Sequence, residues 1–205
     1  MYIIIIMINI KAITIGPTGS GKSSFLNRIV NNKFTKSTLP TIGVDFFQKN
    51  LYEKNAKITF WDTAGQEYYN AINISYYRNS SIIICIFDLN DINGIDQIIK
   101  KLDDCQNYCS NNAFISLIGN KSDMNIPLNT ISIITEKIHK FCQEYNAKYY
   151  QVSCLTGDNC NESINKIIDN YLENVSIKED EMETIVLIPD SPQVPSCKKL
   201  PCCRI

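Results

Sequence analysis

The chain has 205 residues, a hydrophobic share of 44% and a formal net charge of −1. That length suits one domain with a tail, and about 170 residues suffice to bury a substantial core. The balance excludes a disordered chain, and the lack of a basic excess or basic stripe excludes nucleic acid as the main partner.

Met1–Ile8 is apolar but short. It has no basic leading segment and no small-residue cleavage site, so it does not read as a signal peptide. No apolar run approaches the roughly 20 residues that span a bilayer. The segment reads as an extension of the first strand, Ile10–Ile15. A helix is predicted over Lys22–Val30. Val44–Leu51 and Lys57–Asp62 read as strands joined by a turn near Glu53–Asn55. The β-branched and aromatic run Ile82–Asp88 predicts a central strand. A helix follows over Ile95–Tyr108, a strand over Phe114–Asn120 and a helix over Ile131–Tyr145. Lys148–Val152 is a last strand and Asn161–Glu173 a last helix. Strands alternating with helices imply a three-layer α/β fold: a mostly parallel sheet with helices on both faces. Right-handed crossovers then gather the loops on one sheet edge, where ligands bind.

Beyond residue 173 the pattern decays. A charged run at Lys178–Glu183 and four of the seven prolines mark residues 174–205 as a flexible tail after a domain of residues 1–173. Nine scattered cysteines, without paired metal-ligand spacing, read as reduced thiols of a cytosolic protein. Cys105, Cys109 and Cys142 fall in helical segments as packing residues. His139, the only histidine, has no neighbouring Cys/His set that would give it a metal or catalytic role.

Chemistry concentrates in the loops. Gly16-Pro-Thr-Gly-Ser-Gly-Lys22-Ser23 fits G-x-x-x-x-G-K-S/T between a predicted strand and a predicted helix, the context this motif requires. Backbone N–H groups and a helix N-terminus make a phosphate cradle there. Lys22 supplies a point charge to the β- and γ-phosphates, and the Ser23 hydroxyl is placed for Mg²⁺. The motif alone says nucleoside triphosphate, and ATPases and small-molecule kinases share it. Asn120-Lys-Ser-Asp123 follows a strand, and a carboxylate there accepts from guanine N1–H and N2–H₂ together. Adenine would leave that acid unpaired, a difference worth about 10⁴-fold or more. The stem of Lys121 can lie on the base face. Taken alone, four such residues are equally a charged turn. Ser153-Cys154, after the last strand, offers backbone to the guanine carbonyl. Asp62, at the end of a strand, is positioned to hold Mg²⁺ through water, Gly65 to offer its N–H to the γ-phosphate, and Gln66 to orient a water. Thr41 completes the metal shell when a γ-phosphate is present, so both segments order with the triphosphate and relax after hydrolysis.

With Gly16–Ser23, Thr41, Asp62–Gln66, Asn120–Asp123 and Ser153–Cys154 in this order, the chain resembles the Ras superfamily. Thr41–Phe46, Ile58–Glu67 and Ser75–Arg78 are similar to Rab proteins, over roughly residues 8 to 173. The resemblance implies a P-loop GTPase fold with a six-stranded sheet, one antiparallel edge strand and five main helices. It also implies slow GTP hydrolysis to GDP and phosphate, and regulation of vesicle-mediated membrane traffic. The catalytic set is then Gln66, Lys22 and Thr41, and the metal set Ser23, Thr41 and Asp62. The nucleotide set is Gly16, Thr18, Gly19, Ser20, Gly21, Lys22, Ser23, Ser24, Phe34, Thr41, Gly65, Asn120, Lys121, Asp123, Ser153, Cys154 and Leu155. Ile42, Gly43, Val44, Asp45, Phe46, Trp61 and Tyr76 form the implied effector surface, although Tyr76 and Tyr77 read equally as core.

No cis arginine finger is visible, so a GTPase-activating protein would supply about 10³–10⁵-fold acceleration. Leu155 replaces the family's lysine and loses its polar contacts. Tyr68-Tyr-Asn70 replaces the usual Arg-Phe-Arg. Cys202 and Cys203, near the end of the sequence, are the implied prenylation sites, with Cys203 the less certain; two lipids anchor stably where one does not. Exchange factor, effectors and a GDI-type lipid chaperone are the further implied partners of a monomeric core. The implied location is the cytoplasmic face of an intracellular membrane, cycling with cytosol. A nucleotide-binding scaffold that does not hydrolyse, and a P-loop ATPase or kinase, are the competing readings.

Overall fold

The computed structural model describes residues 2–36, 41, 43–63, 76–106, 108–110, 113–174 and 184–189, with 2–6, 104 and 184–189 as backbone only. Seven strands are present among them: β1 Tyr2–Ile15, β2 Val44–Leu51, β3 Ala56–Thr63, β4 Ile82–Asp88, β5 Phe114–Asn120, β6 Lys148–Gln151 and β7 Thr184–Pro189. The helices are α1 Lys22–Asn31, α2 Gly94–Gln106, α3 Leu128–Glu144 and α4 Cys160–Asn174. A 3₁₀ turn at Tyr52–Lys54 joins β2 to β3 where the sequence predicts a turn.

The main sheet runs β2-β3-β1-β4-β5-β6. Only β2 is antiparallel within it; the other neighbours are parallel. Side chains of a strand alternate between faces, and the core divides accordingly. Ile10 and Ala12 of β1 and Ile82, Ile84 and Ile86 of β4 pack with Phe25, Leu26 and Ile29 of α1 and Ile164, Ile167 and Ile168 of α4. Ile13 and Ile15 with Ile83, Cys85 and Phe87 pack on Ile95, Ile98 and Leu102 of α2 and Ile134 and Phe141 of α3. Every residue of β4 except Asp88 is buried, as expected of a strand covered on both faces. Each such side chain contributes about 1.5–3 kcal/mol.

Register fixes the site. Thr14 pairs with Asp62, Val44 with Thr63, and Asp88 with Asn120. The ends of β1, β3, β4 and β5, and the start of the antiparallel β2, therefore lie along one edge.

Two differences from the sequence reading stand out. Helix α3 begins at Leu128 rather than Ile131, because Pro127 stays extended at ψ 140° as the capping residue while its carbonyl accepts the first helical bond, from the Ile131 N–H at 3.0 Å. The apolar N-terminus does continue the first strand, but Tyr2–Met7 pair with Thr184–Pro189 in an antiparallel ribbon. The sequence reading places no strand in residues 174–205, so β7 is an addition. Of the five implied helices, four lie among the described residues. None of these is long and apolar enough to cross a membrane.

Candidate nucleotide-binding site

The loop between β1 and α1 is built around its glycines. A Cβ on Gly16 would stand 2.0 Å from the Ile86 carbonyl oxygen, and one on Gly21 2.2 Å from Asn120 Nδ2. Gly21 also sits at φ 95° as the residue before α1, a conformation open to glycine. The N-terminus of α1 is thus turned into the concavity. Lys22 is buried, and its ammonium donates to the carbonyls of Gly16 (3.1 Å) and Pro17 (2.9 Å). Burial pushes its pKa down to about 8, against the pull of Asp62 and with a further push from Lys101. Lys101 of α2 reaches the Gly16 carbonyl itself at 3.4 Å.

Next to Lys22, three oxygen-bearing side chains from separate elements converge. Ser23 Oγ lies 2.8 Å from Thr41 Oγ1. Asp62 is buried at 1% exposure, and its Oδ1 accepts from the Thr14 hydroxyl at 3.2 Å. Its Oδ2 is buried without a hydrogen-bond partner among the described residues. Burial raises the Asp62 pKa, while the nearby Ser23 hydroxyl and Lys22 ammonium pull it back. An orphaned buried carboxylate oxygen beside two hydroxyls is costly unless a cation completes it. The donors are all hard oxygens, the set that suits Mg²⁺. The Ser23, Thr41 and Asp62 expected from sequence therefore come together and fit the ion.

The second half of the site is a network around Asn120. Its Nδ2 donates to the Ser20 carbonyl at 2.8 Å, and its Oδ1 accepts from the Cys154 N–H at 3.2 Å. Asn120 therefore clamps the Gly16–Ser23 loop to the loop that follows β6. Lys121 adopts a left-handed φ of 66° and its ammonium pairs with Asp88 Oδ2 at 2.7 Å. Burial acts to raise the Asp88 pKa, but Lys121 and Asn90 outweigh it and hold the carboxyl below its ordinary value. Asp123 is oriented by the Ser153 hydroxyl, which donates to its Oδ1 at 2.5 Å.

Sequence reasoning missed three participants. Arg28 of α1 donates from Nε and Nη2 to the Cys154 carbonyl (3.0 and 2.9 Å) and from Nη2 to the Leu155 carbonyl (2.8 Å). Its guanidinium also lies 5.9 Å from the Phe34 ring centre. An arginine in the last turn of a helix carries no motif, and neither does Lys101 in mid-helix. Asp88 was findable as an acid at the ligand edge of a parallel strand.

On the adjoining surface Phe46, Trp61 and Tyr76 form an aromatic row, with ring centres 6.2 and 5.2 Å apart. Phe46 is 66% exposed. Tyr77 is buried in the core, whereas Tyr76 is half-buried and stacks on Trp61, which separates the two tyrosines: Tyr77 is core, and Tyr76 belongs to the row. Gly43 immediately precedes β2, and Val44 and Asp45 are its first two residues, next to Phe46 in the chain. Ser24 lies on α1 directly after Ser23, Leu155 is exposed, and Thr18 and Gly19 form the exposed lip of the phosphate loop. Ile42, Gly65, Gln66, Cys202 and Cys203 lie outside the described residues.

Comparison with known proteins gives a consistent result. The model of the Ras family matches residues 11–173. A GTP-binding protein ypt3 of Schizosaccharomyces pombe is 32% identical over 81% of this chain and 77% of its own length. The Ras-related protein Rab-1 of Theileria annulata is 34% identical over 81% and 76%. A probable Rab-related GTPase of Acanthamoeba polyphaga mimivirus is 31% identical over 88% and 84%.

Proposed function

The chain belongs to the Ras family as a Rab-like small GTPase, and from that premise we propose that its loops form a guanine-nucleotide switch regulating vesicle-mediated membrane traffic. The Gly16–Ser24 loop holds the phosphates of GTP or GDP, and Asp123, oriented by Ser153, accepts from the guanine N–H groups. Asn120, Arg28 and the Ser153–Leu155 backbone keep the base loop in place, and Phe34 flanks the base. Ser23, Thr41 and Asp62 would hold Mg²⁺, which when bound supplies positive charge to the β- and γ-phosphoryl oxygens.

Lys22 adds its own charge to the same β- and γ-phosphoryl oxygens. Gln66 orients the attacking water, and Gly65 offers its N–H to the γ-phosphate; both roles rest on the family resemblance. Attack of that water on the γ-phosphorus breaks the bond to the β–γ bridging oxygen and leaves GDP and phosphate. Thr41 is then released, which loosens the chain before β2. The aromatic row Phe46, Trp61 and Tyr76, beside Ile42–Asp45, presents the nucleotide state to effectors. An exchange factor, an activating protein and a GDI-type chaperone act on the same cycle. Residues 1–173 form the switch domain and residues 174–205 a tail, with prenyl groups on Cys202 and Cys203 attaching it to the cytoplasmic face of an intracellular membrane.

The observation that carries this reading is the 2.8 Å contact of Ser23 with Thr41 beside the orphaned Asp62 oxygen. It joins the phosphate loop to the chain that precedes the aromatic row. Single-turnover hydrolysis of GTP tests it. Slow phosphate release that needs Mg²⁺ and falls at least about tenfold in Thr41→Ala is expected. No release with any concentration of Mg²⁺ would overturn the catalytic assignment.

A further inference from the structure

Two thiols meet at the end of α2, on the sheet face away from α1. Cys105 is in the last turn of the helix, and the Cys109 N–H donates to its carbonyl at 3.2 Å, closing one more helical turn. Their Sγ atoms are 3.3 Å apart. One helical turn separates Cα atoms by about 6 Å, inside the roughly 4.4–6.8 Å that a disulfide bridges. The sulfurs need to approach by only about 1.3 Å to reach bonding distance. Cys105 is buried whereas Cys109 is half-buried, so one sulfur is reachable from solvent and the other waits behind it. The Cys105 thiol, and after the opposing effect of burial the Lys11 ammonium, hold the Cys109 thiol below its ordinary value.

The other thiols among the described residues lack this combination. Cys85 is wholly buried and its thiol is raised by burial. Cys142 is half-buried, as Cys109 is, but burial raises its thiol. Cys154 and Cys160 neighbour one another, but both are buried.

We propose that Cys105 and Cys109 are a redox-sensitive dithiol that a peroxide converts to a disulfide. The Cys109 thiolate attacks one peroxide oxygen. The O–O bond breaks, the sulfur is oxidised to a sulfenic acid, and the departing oxygen leaves as hydroxide or alkoxide and takes a proton from water. The Cys105 sulfur then attacks the sulfenic sulfur. The S–O bond breaks, and the hydroxide leaves as water with the proton of Cys105. A buried partner within reach favours this closure over further oxidation. The turn so locked also bonds the Ser110 N–H to the Ser80 carbonyl at 3.2 Å. Lys11 beside it donates to the Arg78 carbonyl and lies 5.2 Å from the Trp61 ring centre. Through Lys11 the site therefore adjoins Trp61 of the aromatic row.

Trypsin isolates the pair, because residues 102–121 lie between lysines and contain no other cysteine. The full chain is treated with a low dose of hydrogen peroxide, alkylated, digested and weighed. Peptide 102–121 is expected to lose two hydrogens, to resist alkylation and to recover both thiols with dithiothreitol. It should form at least about tenfold faster than any oxidation of Cys142. Cys109→Ser should abolish the change, and Cys105→Ser should leave a sulfenic acid at Cys109 that dimedone traps. Full alkylation of both thiols after peroxide would overturn the proposal. So would oxidation of Cys142, or of the Cys154–Cys160 peptide, at an equal rate.

Discussion

Arg28 ties α1 to the carbonyls of Cys154 and Leu155, with Phe34 against its guanidinium. Hydrogen bonds from a charged donor are worth about 1.5–3 kcal/mol. Arg28→Ala should therefore speed release of a fluorescent GDP analogue by about 10–100-fold while the phosphate loop stays intact; an unchanged rate would remove Arg28 from the site. Asp123→Asn should move preference from guanine toward xanthine nucleotides, since an amide can donate to the extra carbonyl; unchanged base preference in competition binding would contradict the role of Asp123. Lys22 gives a pH signature. Without nucleotide its pKa is about 8 against 10.5 for an ordinary lysine. Between those values the unfolded chain holds a proton that the folded chain has lost, so stability from this group rises as pH rises through that window. Phosphate charge favours the protonated form. Nucleotide binding near pH 9 should thus take up a proton, which calorimetry in two buffers of different ionisation enthalpy measures as a difference in heat. Equal heats would contradict the contact of Lys22 with phosphate.

At the scale of elements, what the sequence disclosed depended on whether the cause was local. β4 and β5 match their predicted bounds because β-branched runs covered on both faces have no other use, and the Glu53–Asn55 turn is set by its own residues. Gly16, Gly21 and Lys22 were legible because phosphate chemistry demands those types at that spacing. Arg28 and Lys101 were not, because their roles depend on which way α1 and α2 face. β7 was not legible either, since its partner Tyr2–Met7 lies at the other end of the chain. Two substitutions probe the elements. Phe60, fully buried between the sheet and α1, should cost about 3–5 kcal/mol as Phe60→Ala in denaturant melts; a loss below about 1 kcal/mol would contradict its packing. Gly16→Ala would drive a Cβ against the Ile86 carbonyl. It should abolish measurable nucleotide binding while far-ultraviolet circular dichroism stays that of a folded chain.

For the whole molecule, one sheet edge does the assembling. Parallel β1, β3, β4 and β5 end there and antiparallel β2 begins there, so phosphate loop, acid, hydroxyls and base loop meet although their residues are spread from 16 to 155. In the proposed switch, one ligand at this edge holds Thr41 and reports its state to the aromatic row. The most direct test is competition binding to the full chain with Mg²⁺, in which GTP, GDP and ATP displace a fluorescent guanine nucleotide. GTP and GDP should compete tightly and ATP at least about 10⁴-fold more weakly. Equal displacement by ATP, or no binding of the guanine probe, would contradict the central claim.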